Sequence, residues 1–418
     1  DIGKNLVDII LSNNGFEVRN LGIKQPIEDI LKAHGDWKAD AIGLSGLLVK
    51  STVIMRENLQ TLEEKGLDVP VILGGAALTR AYVEQDCRKV YRGPVFYAAD
   101  AFEGLRLMQR IAGGEPLVYD PAPATEDAIQ VLHRGDRSLP LTDHGQSAWV
   151  RRNEPRPEPP FWGVREVAPS LPELYAFLDE FVVLRQRWGY QQGTQDEATF
   201  QAVLREKAEP ELARWKARLE AEGLVLPKVR YGYFPANADG DDLVVFHPAD
   251  PTRELRRVTL PRQAAGRRLC IADFFAPIQS GVRDVLPVQL VSLGAASAAF
   301  AQSLYKADAY GDYYHFHGLC TELTEAAAEW LHARIRRELG IHAKDAANLR
   351  VLFSQGYQGS RYSFGYPACP DLEGNHFIHQ LLDGDALGVT LTESCQMDPE
   401  YATSALVAWH PQARYFAV

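Results

Sequence analysis

The sequence predicts a doubly wound α/β domain with a parallel sheet, followed by an α+β domain. Three observations predict this. Helix-type and strand-type patterns alternate from residue 4 to about 111, and the strand-type runs end in small residues, as in strand–helix units that fold into a parallel sheet. Residues 112–160 then become rich in proline, with Pro116, Pro121, Pro123, Pro140, Pro155, Pro157, Pro159 and Pro160, the composition of an extended connection. Beyond it, two strand-type runs flank an Asp239-Gly240 turn and long helical stretches surround them, an α+β arrangement. The expected division is 1–112, a linker 113–158, and 159–418.

In the first domain, Asp1-Ile2-Gly3-Lys4-Asn5 reads as a small-residue loop running into a helix, where Gly3 would let backbone approach a bulky ligand. Leu6, Val7, Ile9, Ile10 and Leu11 form a helix stripe closed by Asn13-Asn14-Gly15. Phe16–Leu21 reads as a strand. Pro26 opens a helix carrying Ile27, Ile30 and Leu31, and the apolar run 39–48 is a buried strand ending in Ser45-Gly46. Helix 52–65 stops at Gly66, strand 69–73 ends in Gly74-Gly75-Ala76-Ala77, and strand 95–98 precedes helix 102–111. A Rossmann- or flavodoxin-like sheet of this kind binds ligands at the carboxyl ends of its strands. Gly3, Ser45-Gly46-Leu47 and Gly74-Gly75-Ala76 are therefore expected to meet. The sheet lacks a first strand, which would precede Asp1, and the chain has no initiating methionine; it is expected to be a piece of a longer polypeptide. Neither GxGxxG nor a GKS/T phosphate loop occurs, which disfavours the usual dinucleotide and nucleoside triphosphate sites.

Composition narrows the class further. Charged residues are 24% and hydrophobic residues 46% of the chain, a folded soluble balance, and no run approaches the ~18 apolar residues of a membrane span. With 44 basic and 55 acidic residues the net charge is −11, which argues against nucleic acid as a partner. The cysteines Cys87, Cys270, Cys320, Cys369 and Cys395 are widely spaced, suggesting neither a disulfide framework nor a zinc site and fitting a reducing cytoplasm. His315-Phe316-His317 and His376/His379 have no carboxylate or cysteine at ligand spacing.

In the second half, 171–189 and 199–223 have helical spacing, 229–237 and 243–247 form a hairpin, 268–275 and 288–293 read as strands, and 322–339 as a long helix. The densest motif is Arg361-Tyr362-Ser363-Phe364-Gly365-Tyr366-Pro367-Ala368-Cys369-Pro370. A cation, a turn glycine and aromatic rings beside stiffening prolines suit a loop that cups a small polar ligand.

These motifs carry a family resemblance. DIGKN, then Ser45-Gly46-Leu47, then Gly74-Gly75-Ala76 resemble the cobalamin-binding domain of the cobalamin-dependent methionine synthases and related corrinoid proteins. Tyr233-Phe234-Pro235-Ala236-Asn237 with Gly240-Asp241-Asp242, Cys270-Ile271-Ala272-Asp273-Phe274, the Arg361–Pro370 motif, Leu391-Thr392-Glu393-Ser394 and Tyr415 resemble, in order, landmarks of the reactivation domain of the same family. The resemblance runs through 159–418.

The resemblance implies cobalamin (as methylcobalamin) at Asp1, Gly3, Ser45, Leu47, Val49, Ser51, Gly74, Gly75 and Ala76. The family's cobalt-ligating histidine would stand immediately before Asp1. Ser45 matches a contact to the cofactor's nucleotide tail, Ser51 the serine that helps set the proton on the ligand histidine, and Val49 stands where the family often has threonine. It also implies S-adenosylmethionine at Arg361, matched to the ligand's carboxylate, with Ser363, Tyr366, Glu325, Gln355 and Tyr415 as further contacts. At Ser363 the family usually has alanine acting through its backbone. An aspartate of enteric-type members falls at Pro157, so either another acid such as Glu158 takes its place or the ligand's ammonium is held differently. The implied activity is that of a methyltransferase module: a methyl group carried on cobalt for homocysteine methylation, and oxidised cobalamin restored by reductive methylation. Upstream homocysteine and folate modules of the same polypeptide and a flavin-type electron donor protein would be its partners. The alternative is a non-catalytic corrinoid- or adenosyl-ligand-binding sensory protein, although a DNA-binding or signalling domain would be expected in place of the second half.

Overall fold

A computed structural model describes residues 2–22, 25–46, 49–75, 78–114, 138–190, 192–193 and 195–418. The chain forms two compact units, 1–130 and 131–418.

The first unit is built on a parallel sheet of three described strands, β1 (Ile42–Ser45), β2 (Val71–Gly74) and β3 (Val95–Ala98), in the order β1-β2-β3. Each strand carries little beyond apolar residues because both faces are covered. Met55, Leu59 and Leu62 of helix Val49–Glu64 join Ile42, Val71, Leu73 and Val95 in one buried cluster. Ile72, Phe96 and Ala98 pack with Leu107 of helix Ala101–Ala112 in another, which makes the sheet doubly wound as expected. Asp100 caps that last helix by accepting from Glu103 N at 2.7 Å.

Residues 16–21 correct the sequence reading: they are extended but pair with no strand among the described residues. Asn20 turns its side chain to helix Ile2–Asn13, donating to Asp8 Oδ2 at 2.9 Å and accepting from Lys4. The segment is tied by side chains, so its alternating pattern serves to seat Leu21 on the core.

The second unit centres on a seven-stranded antiparallel sheet. Its strands are β4 (Gly163–Val167), β5 (Lys228–Asp239), β6 (Asp242–His247), β7 (Asp250–Thr259), β8 (Asp284–Ser292), β9 (Ser360–Tyr362) and β12 (Ala402–Ala408), in the order β7-β6-β5-β8-β12-β9 with β4 also on β5. A separate two-stranded ribbon pairs β10 (Thr390–Leu391) with β11 (Met397–Asp398). Every residue of β8 is buried, and strand alternation explains how. Leu286, Val288 and Leu290 point into a core with Ile378 and Leu381 of helix Asn375–Leu382. Gln289 points the other way and donates to Ala328 O of the 29-residue helix Tyr310–Glu338 at 3.4 Å. Tyr231 and Tyr233 lie on that second face, with hydroxyls bonded to Glu338.

Two further sequence expectations change. Residues 268–275 are not a strand. Ile271–Phe274 is a single buried 3₁₀ turn, because the Asp273 carboxylate folds back to accept from Cys270 N at 2.8 Å and pairs with Arg262. The connection 113–158 does not remain a free tether over its described part, 138–158. Ser147 N donates to Asp273 Oδ1 at 3.1 Å, Arg152 Nη1 donates to Asp273 O at 2.7 Å, and Val150 is buried in the core of the second unit. A turn bridged between Leu141 and Ser147 and the few apolar and polar side chains of the segment fasten it down. Residues 115–137 lie outside the described residues.

Candidate functional site

In the first unit, the turns after β1 and β2 come together. Ser45 pairs in register with Gly74, and Gly46 N donates to Gly74 O at 3.1 Å. Gly75 has φ +117°, and a Cβ there would stand 2.0 Å from Gly46 O. A Cβ on Gly46 would stand 2.6 Å from Ser51 Cβ. Only glycine fits both turns, and the result is a tight backbone ledge at the carboxyl edge of the sheet with Ser45 exposed and Ser51 half-buried beside it. Gly3 lies in the first turn of helix Ile2–Asn13. Asp1, Leu47 and Ala76 lie outside the described residues, as does the side chain of Val49.

In the second unit, six positions singled out from the sequence, Glu325, Gln355, Arg361, Ser363, Tyr366 and Tyr415, line one pocket of about 230 Å³. They come from four places: the long helix, the end of helix Leu349–Phe353, edge strand β9 with the turn after it, and the C-terminal segment. Arg361 reaches the pocket because alternation along β9 sends its neighbour Tyr362 to the opposite face, where Tyr362 is fully buried. Gln355 takes a left-handed backbone, φ +61°. Its side chain joins two segments, donating to Ser360 Oγ at 3.2 Å and accepting from Tyr415 N at 3.2 Å. Gly365, φ +89°, makes the turn that presents Tyr366, closed by hydrogen bonds of 2.9 Å from Gly365 N to Cys369 O and from Cys369 N to Tyr366 O. Tyr415 stacks on Tyr362 with centroids 6.3 Å apart.

The floor of this pocket is charged. Arg361 Nη2 donates to Glu329 Oε2 at 2.7 Å, while Arg361 Nη1 is buried with no hydrogen-bond partner among the described residues. Burial alone would lower the Arg361 pKa, but Glu329, Tyr357, Glu325 and Tyr366 together outweigh it and hold the guanidinium protonated. Arg336, completely buried, donates through Nε to Asp345 at 2.9 Å, approaches Glu329 Oε1 at 3.7 Å and lies over the Tyr357 ring at 4.1 Å. Burial, then the charges of Arg336 and Arg361, push His332 well below its usual value, so it is neutral at pH 7. Burial raises the Tyr357 and Tyr366 phenols and takes Tyr415 up to about 12, leaving all three as hydrogen-bond donors.

Glu329, Gln289 and Tyr357 also line the pocket, and the sequence reading missed them. A signal existed: Glu325, Glu329, His332 and Arg336 repeat at helical spacing, a polar stripe along an otherwise buried helix. Pro157 and Glu158 are not among the pocket's lining residues. The histidine pairs have local partners. His315 meets Glu211 at 3.1 Å, His317 meets the Tyr401 hydroxyl at 3.0 Å, His376 faces Cys395 Sγ at 3.5 Å and His379 meets Val389 O at 2.8 Å.

Residues 1–106 match the model of the B12 binding domain, and residues 211–418 that of the vitamin B12 dependent methionine synthase activation domain. The whole chain aligns with methionine synthase of Mycobacterium tuberculosis (strain ATCC 25618 / H37Rv) at 43% identity over 450 residues, and with that of Mycobacterium leprae (strain TN) at 43% over 459 residues. It spans about 38% of the length of each. A crystal structure of the MetH reactivation domain bound to AdoHcy superposes with a TM-score of 0.59 at 26% identity, over 67% of this chain and 90% of that one. The chain belongs to the vitamin B12-dependent methionine synthase family and carries its B12-binding and activation domains.

Proposed function

We propose that this chain is the cobalamin- and S-adenosylmethionine-binding part of a methionine synthase, which carries a methyl group on cobalt for homocysteine methylation and restores oxidised cobalamin by reductive methylation. The observation that carries this reading is the convergence of Glu325, Gln355, Arg361, Ser363, Tyr366 and Tyr415 on one pocket, with Arg361 Nη1 buried and without a hydrogen-bond partner among the described residues. That guanidinium arm suits the ligand's carboxylate. Glu325 supplies negative charge for its ammonium and sulfonium, and Tyr357, Tyr366 and Tyr415 supply flat apolar surface for its adenine. Ser363 sits in the turn whose backbone offers further contacts. These residues bind and orient a methyl donor; none is proposed as an acid or base.

In the first unit the glycines let the two strand-end turns pack on each other, since an added Cβ would strike Gly46 backbone or Ser51; the resulting backbone ledge is proposed to seat the corrinoid, with Ser45 and Ser51 beside it for the tail and the lower-ligand relay. Cobalamin, when bound, supplies a strongly nucleophilic metal centre. The protein's part is to hold it, with Asp1, Gly3, Leu47, Val49, Gly74 and Ala76 completing the cradle, and the cobalt-ligating histidine belongs immediately before Asp1. Upstream homocysteine and folate modules of the same polypeptide and a flavin-type electron donor protein are the proposed partners, in the cytoplasm. Among the described residues no helix is long and apolar enough to cross a membrane.

The test is methyl transfer. The chain, extended upstream to include the histidine, is incubated with cobalamin, a reductant and S-adenosylmethionine labelled in the methyl group. Label appearing on cobalt is expected. Binding of both ligands without transfer under reducing conditions would favour the non-catalytic sensory reading instead.

A further inference from the structure

We propose that Glu329 is a positioning residue that holds Arg361 by Nη2 and leaves Nη1 for the ligand's carboxylate, and that Arg336 and Asp345 in turn hold Glu329. This rests on the reading of Arg361 as the carboxylate contact. Four charged side chains alternate in sign beneath the pocket. Arg361 Nη2 meets Glu329 Oε2 at 2.7 Å, Glu329 Oε1 stands 3.7 Å from Arg336 Nη1, and Arg336 Nε donates to Asp345 Oδ2 at 2.9 Å. Glu329 and Arg336 are 4% and 0% exposed, so each depends on its neighbours for the compensation that water would otherwise give.

The chain has a direction. Asp345 ends a short 3₁₀ turn and Arg336 and Glu329 sit two turns apart on the long helix, all on firm backbone, whereas Arg361 belongs to a three-residue edge strand. An arginine there would lose rotamer freedom on meeting a ligand. Glu329 takes one arm beforehand and leaves Nη1, buried and without a partner among the described residues, as the donor left for an anion. A planar guanidinium fixed at one edge has its other edge fixed too. The second guanidinium, Arg336, keeps Glu329 from swinging into the pocket and competing with the ligand's carboxylate. His332, wedged beside both arginines and under the Tyr357 ring at 4.9 Å, is neutral and adds no charge to the set.

The experiment measures, by titration calorimetry on the full chain, the affinity for S-adenosylmethionine and for its decarboxylated analogue, which lacks only the carboxylate. The parent should prefer the carboxylate form, and Arg361→Ala should abolish the preference. Glu329→Gln, nearly isosteric, should reduce the preference about tenfold, as loss of a supporting partner does elsewhere, while affinity for the decarboxylated ligand changes little. A role in folding alone would weaken both ligands together and leave their ratio intact, and that result overturns the proposal. If the parent shows no preference, or Arg361→Ala keeps it, the ligand reading itself fails; if only Glu329→Gln keeps it, only the positioning role fails. Should Glu329→Gln not fold, Asp345→Asn, at the more exposed end of the chain, tests the same linkage. It should lower the ratio in the same sense by a smaller factor, and an unchanged ratio counts against the proposal.

Discussion

Arg361 shows how a single side chain can be both structural and free. Its edge strand, its ion pair and its burial fix where the guanidinium is, yet half of its fork has no partner among the described residues. Removing it should cost about 2–4 kcal/mol of S-adenosylmethionine binding, because a charge-assisted pair in a partly desolvated pocket is lost. Calorimetric affinity of Arg361→Ala within twofold of the parent would rule out the assignment. His332 makes a prediction of the opposite kind. Burial and two flanking arginines depress its folded pKa, so below about pH 6.5 the unfolded chain takes up a proton that the folded chain refuses. The contribution of His332 to the stability of the second unit is then fully present above that pH and is lost as pH drops. Going from about pH 7.5 to about pH 5.5, the parent should lose about 1.4 kcal/mol more than His332→Leu in denaturant unfolding. Neither ring nitrogen has a hydrogen-bond partner among the described residues, so leucine orphans nothing there. Parallel pH profiles would show that the imidazole does not titrate as inferred.

At the scale of elements, the two strand-end turns of the first unit act as one feature. Gly75 combines a positive φ with backbone of Gly46 at 2.0 Å from any added Cβ, while a Cβ on Gly43, within β1, meets nothing within 4 Å. Gly75→Ala should therefore cost about 2–5 kcal/mol from backbone strain and overpacking together, and should abolish cobalamin uptake by displacing the ledge. Gly43→Ala should leave uptake nearly unchanged. Absorption titration with cobalamin, alongside thermal melting, separates the two; equal uptake by both variants would mean that the corrinoid does not meet this ledge. Distant sites add independently, so S-adenosylmethionine binding should be untouched in each.

For the whole molecule, the boundary between the units falls earlier than the proline pattern implies. Residues 138–158 belong to the second unit through Gln146, Ser147, Val150 and Arg152, and through Trp149 O, which accepts from Gln412 Nε2 at 3.0 Å, and Arg151 O, which meets His410 Nε2 at 2.9 Å. A fragment 159–418 would leave these buried groups unpaired. It should be less stable than a fragment 138–418 by about 3 kcal/mol or more, at about 1–3 kcal/mol for each buried group orphaned. For a unit of this size that is a drop of about 6–12 °C in melting temperature. Matching melting curves would show the segment to be a true linker.

The sequence by itself determined the two fold classes, the strands within 39–48, 69–73 and at 95–98, and the hairpin about Asp239-Gly240, because periodicity and turn glycines are local signals; the positions that line the pocket came from the family resemblance of its motifs. It also extended too far in places. The pattern at 16–21 and the apolar run at 268–275 look like strands, and only the tertiary structure decided otherwise, through Asn20 bonding back to a helix and Asp273 closing a buried turn. The pairing of Arg361 with Glu329, 32 residues apart, was likewise outside local reach. Which of several acids on a helix faces a given cation depends on how that helix crosses the sheet, and this crossing is fixed by the packing of the whole core.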